Sequence, residues 1–217
     1  MAIASPPTTA DTLRRHLVAA GVPPRYLDCR FDTFVARQGT QKALQAARDV
    51  VARDRSGLVL CGPAGGGKTH LAVAMLAELV ERWLEAYPTQ AIEQEREGTM
   101  YVTRRPELRV RLVSVPAFLD LLRSRIRFAD AVDPLPELIA ADLLVLDDLG
   151  REKVTDWASE RLYVLVNERY NALRPTVVTS NYGPDILADR GYDAIVSRLA
   201  EGARAVVITA DDYRAVR

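Results

Sequence analysis

The chain of 217 residues is predicted to form a three-layer α/β fold around a five-stranded parallel sheet, an expectation that rests on three observations. Short apolar runs alternate with longer amphipathic segments, the pattern of strands joined by crossover helices. A glycine-rich octapeptide, Gly62-Pro63-Ala64-Gly65-Gly66-Gly67-Lys68-Thr69, lies between the first apolar run and a helical segment. A later apolar run, Leu143-Leu144-Val145-Leu146, ends in two acids, Asp147 and Asp148.

In chain order, residues 1 to 10 read as disordered, and Asp11 is placed as the N-cap of a short helix carrying Leu13, Leu17 and Val18. Pro23-Pro24 ends that helix, and Arg25 to Phe34 is irregular, with Tyr26, Phe31 and Phe34. Gln38 to Arg53 is alanine-rich and amphipathic, hence helical, and leads into a strand at Gly57 to Cys61. The helix after the glycine-rich loop carries Leu71, Met75, Leu76, Leu79, Val80 and Trp83 at helical spacing and runs to about Tyr87, where Pro88 stops it. Thr89 to Leu108 is charged and without clear period. Arg109 to Val115 reads as a second strand, Pro116 opens a helix, and Pro134 and Pro136 punctuate a loop. The third strand is Leu143 to Leu146, Thr155 caps a helix through about Ala172, and strands follow at Thr176 to Thr179 and Val206 to Ile208.

Composition narrows the function classes. With 48% apolar and 27% charged residues, the chain has the makings of one globular domain with a substantial core. The formal charge is zero, so affinity for nucleic acid rests on a local patch and not on the overall field. Cys29 and Cys61 lie far apart and form no C-x-x-C pair, which excludes a zinc knuckle or a disulfide framework. Met1 to Thr9 lacks the basic-then-apolar order of a leader, and no apolar run approaches membrane-spanning length. The expected location is the cytoplasm, with no membrane role.

The octapeptide is a complete G-x-x-x-x-G-K-[ST] phosphate-binding loop, a pattern that chance yields in about one chain in a hundred of this size. Its position between strand and helix makes chance a poorer account. Side-chain-free residues let successive backbone N–H groups close around phosphate oxygens, and the helix N-terminus adds positive potential there. Gly62, Pro63, Ala64, Gly65, Gly66, Gly67, Lys68, Thr69 and His70 are the expected nucleotide-binding residues, with Lys68 on the β and γ phosphates and Thr69 on Mg²⁺. Asp147 is the metal-side carboxylate, acting through water, and Asp148 is placed to polarise the attacking water. The fourth strand ends Thr179-Ser180-Asn181, which positions Asn181 between Asp148 and the γ-phosphate. Ser197-Arg198-Leu199 and Asp212-Tyr213-Arg214 flank the fifth strand and each offers a guanidinium to a phosphate transition state. ATP and Mg²⁺ are therefore the expected cofactors.

Gly62 to Ala72 (GPAGGGKTHLA), Leu143 to Gly150 (LLVLDDLG), Thr179-Ser180-Asn181, Ser197-Arg198-Leu199 and Tyr213-Arg214 occur in one order and at compatible separations. As a set they resemble the DnaC/DnaI family of AAA+ ATPases, helicase loaders whose close relatives include the transposition helper IstB. The resemblance runs from about Pro23 to Arg214. It implies an AAA+ P-loop NTPase fold with Lys68 and Thr69 in Walker A, Asp147 and Asp148 in Walker B, and Asn181 as sensor 1. It also implies Arg198 as an arginine finger completing a neighbouring subunit's site, and Arg214 as the sensor 2 arginine. Phe31 or Phe34 is placed over the adenine. The implied partners are the replicative helicase, single-stranded DNA and further copies of the chain.

The expected domain layout is an extension and lead-in over 1–35 and an ATPase domain over 36–217. Three departures from the family pattern stand out: only some thirty residues precede the core, the 86–108 link is long, and no substantial C-terminal helical lid follows the fifth strand. Between Arg104 and Arg127 lie seven arginines against only Glu107 and Asp120, and Arg109, Arg111, Arg123, Arg125 and Arg127 are candidate contacts to single-stranded DNA. The alternative is a solvated helix face and an arginine-rich insertion paired with acids. Competing functions are a transposition helper, a nucleotide-operated switch with slow hydrolysis, and a small-molecule kinase. A kinase is disfavoured by the double-acid strand and the late Ser-Arg-Leu.

Overall fold

The computed structural model describes residues 8–53, 57–87, 91–96, 99–127, 132–153 and 155–213, with side chains described for all of these but 53, 91–96, 99–104 and 125–127. Helix α1 (Thr9–Ala19) is capped one turn earlier than the sequence suggested: the Thr8 hydroxyl accepts from the Asp11 N–H, and Asp11 reaches back to the Thr8 N–H, a reciprocal capping box. Asp11 is thus the third helical residue and not the cap. Helix α2 is Gln41–Arg53, β1 is Gly57–Cys61 and α3 is Lys68–Ala86. Helix α2 begins three residues later than expected because Thr40 closes a turn, its hydroxyl bonded to both the N–H and the C=O of Arg37.

The 86–108 link contains an antiparallel hairpin of β2 (Ala91–Arg96) and β3 (Thr99–Arg104), in register from Ala91 against Arg104 to Arg96 against Thr99. Charged and apolar residues alternate too irregularly along these strands for the sequence to have revealed them. The chain continues through β4 (Val110–Ser114), α4 (Val115–Arg127), α5 (Leu135–Ala140), β5 (Leu143–Leu149) and α6 (Asp156–Asn171). Next come β6 (Thr176–Ser180), the short α7 (Pro184–Leu187), a π-helical segment over 188–192, α8 (Asp193–Gly202) and β7 (Ala203–Val207). The Pro134 and Pro136 stretch, expected as a loop, is the start of α5, since proline fits the first turn of a helix.

All five main strands are parallel, in the order β4-β5-β6-β1-β7. Period-two side-chain alternation divides the core between the two faces. Leu58, Leu60, Val145 and Val177 meet α1, α2 and α3 through Leu17, Ala46, Leu71 and Met75. Val59, Leu144, Leu146 and Val178 meet α4, α6 and α8 through Phe118, Leu162, Leu165 and Ile195. Among the described residues no α-helix follows β7, and no helix is long and apolar enough to cross a membrane.

A buried arginine ties the second layer together. Arg169, on α6, donates to the carbonyls of Leu138, Ile139 and Ala141, to that of Pro175 and to the Thr176 hydroxyl. It closes the C-terminus of α5, where unpaired carbonyls and the helix dipole favour a cation. Burial and the neighbouring Arg174 lower its pKa to about 10, and it stays charged at neutral pH.

Candidate functional site

The loop between β1 and α3 is held by close backbone approach. Gly62 has φ +136°, and a Cβ there would lie 2.2 Å from the Ile208 carbonyl oxygen; Gly67 has φ +90° and faces the ring of Phe34. Only glycine tolerates such positive φ without strain, so these two positions answer to backbone geometry as well as to phosphate approach. The segment after β7 is tied to the same loop, since the Tyr213 N–H donates to the Gly65 carbonyl at 3.1 Å.

Strands β5 and β6 bring their C-terminal ends to this side of the sheet because β6 pairs in parallel with β1 and β5 pairs in parallel with β6. Thr69 and Thr179 each donate a hydroxyl to Asp147 Oδ1, at 2.9 and 2.6 Å. Thr179 also accepts from the Asp148 N–H at 3.0 Å, which fixes Asp148 in a left-handed conformation with φ +63°. A non-glycine residue at such a dihedral costs roughly 1 kcal/mol and is characteristic of functional positions. The register of β5 against β6 shifts at this point, between Leu146 and Leu149. Burial raises the Asp147 pKa and the Asp148 charge adds to it, against the two hydroxyl hydrogen bonds and Lys68, which lower it.

Lys68 is buried, and its Nζ donates to the carbonyls of Gly62 and Pro63 and to Asn181 Oδ1, each at 2.8 Å. One side chain thereby joins the loop to the end of β6. The surrounding cleft, about 410 Å³, is lined by the loop, Asp147, Asp148, Asn181 and Phe34. His70 sits at its edge, with Nε2 2.9 Å from the Arg30 carbonyl and the ring edge-on to Phe34. The cleft also exposes Arg25, Tyr26, Arg37, Arg151 and Tyr213, which sequence reasoning did not place there. Arg25 stacks on Tyr26, Arg37 stacks on Tyr213, and Arg151 lies 3.3 Å from Asp148. Arg25, Tyr26 and Arg37 come from the early part of the chain, Arg151 from its middle and Tyr213 from its late part, so no local pattern could have grouped them. Of the two phenylalanines named for the base, Phe34 lines the cleft, while Phe31 packs against the core beneath Arg48.

The chemistry of this donor set suits a triphosphate with a hard cation. A hydroxyl and a carboxylate offer oxygen ligands of the kind Mg²⁺ takes alongside phosphate and water. A lysine and a row of backbone N–H groups offer positive potential to the phosphates.

The remaining candidates lie elsewhere. Arg198, on α8, stands at the opposite end of the strands beside Gly57 and Thr176, and donates to Asn167 Oδ1 at 3.1 Å while stacking on Tyr170. Arg214 lies outside the described residues. In the basic segment, Arg109 is paired with Glu107, Arg111 with Glu137 and Arg123 with Asp120. Arg123 also stacks on Trp157, and Arg105 lies 3.7 Å above the Trp83 ring. Local acids thus offset the charge of three of the five DNA candidates; the side chains of Arg125 and Arg127 fall outside those described.

No family model matches the chain. It is 22% identical over 212 residues to the replicative helicase loader DnaC of Escherichia coli, covering 94% of this chain and 77% of that protein. The replicative helicase loader DnaI of Bacillus subtilis is 26% identical over 132 residues, 60% of this chain and 35% of DnaI. An insertion sequence ATP-binding protein of Sinorhizobium fredii is 28% identical over 171 residues, 78% of this chain and 49% of that one. A crystal structure of the DnaC helicase loader superimposes with a TM-score of 0.68 at 26% identity, over 86% of this chain and all of that one. Similarity in sequence and in fold thus converges on the proteins that the phosphate loop, the double-acid strand and Asn181 indicate, and the chain is similar to the DnaC/DnaI-type AAA+ proteins.

Proposed function

We propose that this chain binds and hydrolyses ATP with Mg²⁺, and that it uses the nucleotide state to load or remodel a replicative helicase on single-stranded DNA. The observation that carries the reading is the convergence of Thr69 and Thr179 on Asp147 beside the Lys68–Asn181 contact. In this reading Thr69 and Asp147 hold the cation, which neutralises phosphate charge when bound. Lys68 leaves the loop carbonyls for the β and γ phosphates. Asp148 accepts the proton of the attacking water, and Asn181, released from Lys68, orients that water. Arg198 lies too far from its own cleft to act there and serves the site of the next subunit, which makes turnover depend on self-association. Arg214 is assigned to the chain's own nucleotide. Residues 1–35 form the lead-in to an ATPase domain over 36–217, and the protein works in the cytoplasm.

The insertion sequence ATP-binding relative supports a second reading, in which the same ATPase serves a transposase. The two share the site and differ in the partner recruited.

Steady-state ATP hydrolysis, measured with and without single-stranded DNA across a salt series, tests the proposal. DNA-stimulated turnover that declines with salt is expected; turnover indifferent to DNA at every salt concentration argues against action on single strands.

A further inference from the structure

One buried acid takes no part in the nucleotide site. Glu152, four residues beyond Asp148, is only 9% exposed. Its Oε1 accepts from the Gly150 N–H at 3.2 Å and from the Tyr192 hydroxyl, while Oε2 is buried without a hydrogen-bond partner. A carboxylate in such a place is costly unless the contacts it makes are needed. Burial and the hydrogen bond to Glu152 raise the Tyr192 pKa, so the phenol keeps its proton and remains a donor.

The contacts join two elements. Gly150 is the first residue past β5, with φ +88°, and its carbonyl accepts from Arg190 at 3.1 Å. The backbone of one residue is therefore gripped on both sides, at its N–H by Glu152 and at its C=O by Arg190. Tyr192, 1% exposed, is the residue immediately before α8, and no side chain caps that helix. Gly191, with φ +90°, precedes it and leaves the chain free to swivel there. The Glu152–Tyr192 bond ties the start of α8 to the end of the strand carrying Asp147 and Asp148, alongside the Arg190–Gly150 contact, and Arg198 lies six residues along α8. Ser159 adds a second hold, donating to the Gly191 carbonyl from α6 at 2.9 Å.

We propose that Glu152 is a positioning residue which, through the Tyr192 hydroxyl, sets the placement of α8 and so of Arg198 relative to the acid-bearing strand. This rests on the reading of Arg198 as a residue acting on the neighbouring subunit's nucleotide. Tyr192→Phe removes one hydroxyl and keeps the ring in the core; Glu152→Gln keeps the shape and removes the charge.

The test uses mixed assemblies of full-length chains. A Lys68→Ala protein contributes only its Arg198, and an Arg198→Ala protein contributes only its nucleotide site, so turnover in the mixture reports action between subunits. Placing Tyr192→Phe or Glu152→Gln in the Lys68→Ala partner is expected to cut that turnover about tenfold. Placing the same change in the Arg198→Ala partner is expected to alter it less than twofold. Melting temperature and binding of a fluorescent ATP analogue verify that each variant is folded. Equal losses in both placements, or none in either, overturn the role of Glu152 while leaving Arg198 in place. A parent mixture with no turnover overturns the reading of Arg198 itself, and the inference with it.

Discussion

On the proposed reading, Lys68 and Asp148 separate binding from chemistry at the level of single side chains. Lys68→Ala removes the one ammonium in the loop and is expected to abolish ATP binding in a fluorescence titration. Asp148→Asn keeps the backbone contact to Thr179 and is expected to retain binding while turnover falls at least a hundredfold; normal turnover in both variants would dismiss this cleft as the site. Asp147 adds a pH argument. Its raised pKa means that burial favours the protonated form, so its contribution to stability is present at low pH and is lost as pH rises through its folded-state pKa. Asp147→Asn is therefore expected to raise the melting temperature of the nucleotide-free chain at pH 7 and to weaken that chain's Mg²⁺-dependent nucleotide binding. A lower melting temperature at pH 7 would refute the assignment of burial as the dominant cause.

At the scale of elements, caps and strand ends govern what forms and what it presents. Thr155 accepts from the Ala158 N–H at 3.2 Å and sets the start of α6, the helix that carries Arg169 and Asn167. Thr155→Ala is expected to cost about 1 kcal/mol in denaturant unfolding, with an unchanged denaturant slope; an unaltered midpoint would mean the helix start is fixed by packing alone. Thr155 was legible in the sequence because a capping residue before a periodic run is a local signal. So were β1, β5 and β6, whose apolar runs are bounded by glycine, acids or proline. The β2–β3 hairpin was not, since residues such as Glu93, Gln94 and Glu95 carry no alternation. Nor was α8, which follows a glycine with positive φ and packs through Ile195 and Leu199, too few apolar positions to declare a helix. In the cleft, the motif residues Lys68, Thr69, Asp147 and Asn181 were legible because each sits in its own short loop or strand-end motif. Arg37, Tyr213 and Arg25 were not, because the fold alone brings chain positions 25, 37 and 213 to one cleft.

For the whole molecule, the decisive geometry is that the nucleotide cleft and Arg198 stand at opposite ends of the strands. On the proposed reading, one chain then holds two incomplete halves of a catalytic centre. ATP turnover per chain is expected to rise with protein concentration, as assembly brings halves together, and to level off once assembly is complete. A rate per chain that stays constant over a hundredfold dilution would show that a single copy suffices. Neither edge strand of the sheet, β4 or β7, contributes a side chain to the cleft, so association has no need to disturb the phosphate loop.

The contact between Lys68 and Asn181 has a bearing on how the proposed nucleotide site would be armed. The ammonium holds the very group proposed to read the γ-phosphate, so in this arrangement each occupies the other. An arriving triphosphate has to part them, and a single exchange of partners then arms both. A ligand that did not draw the ammonium away would leave the proposed reader blocked.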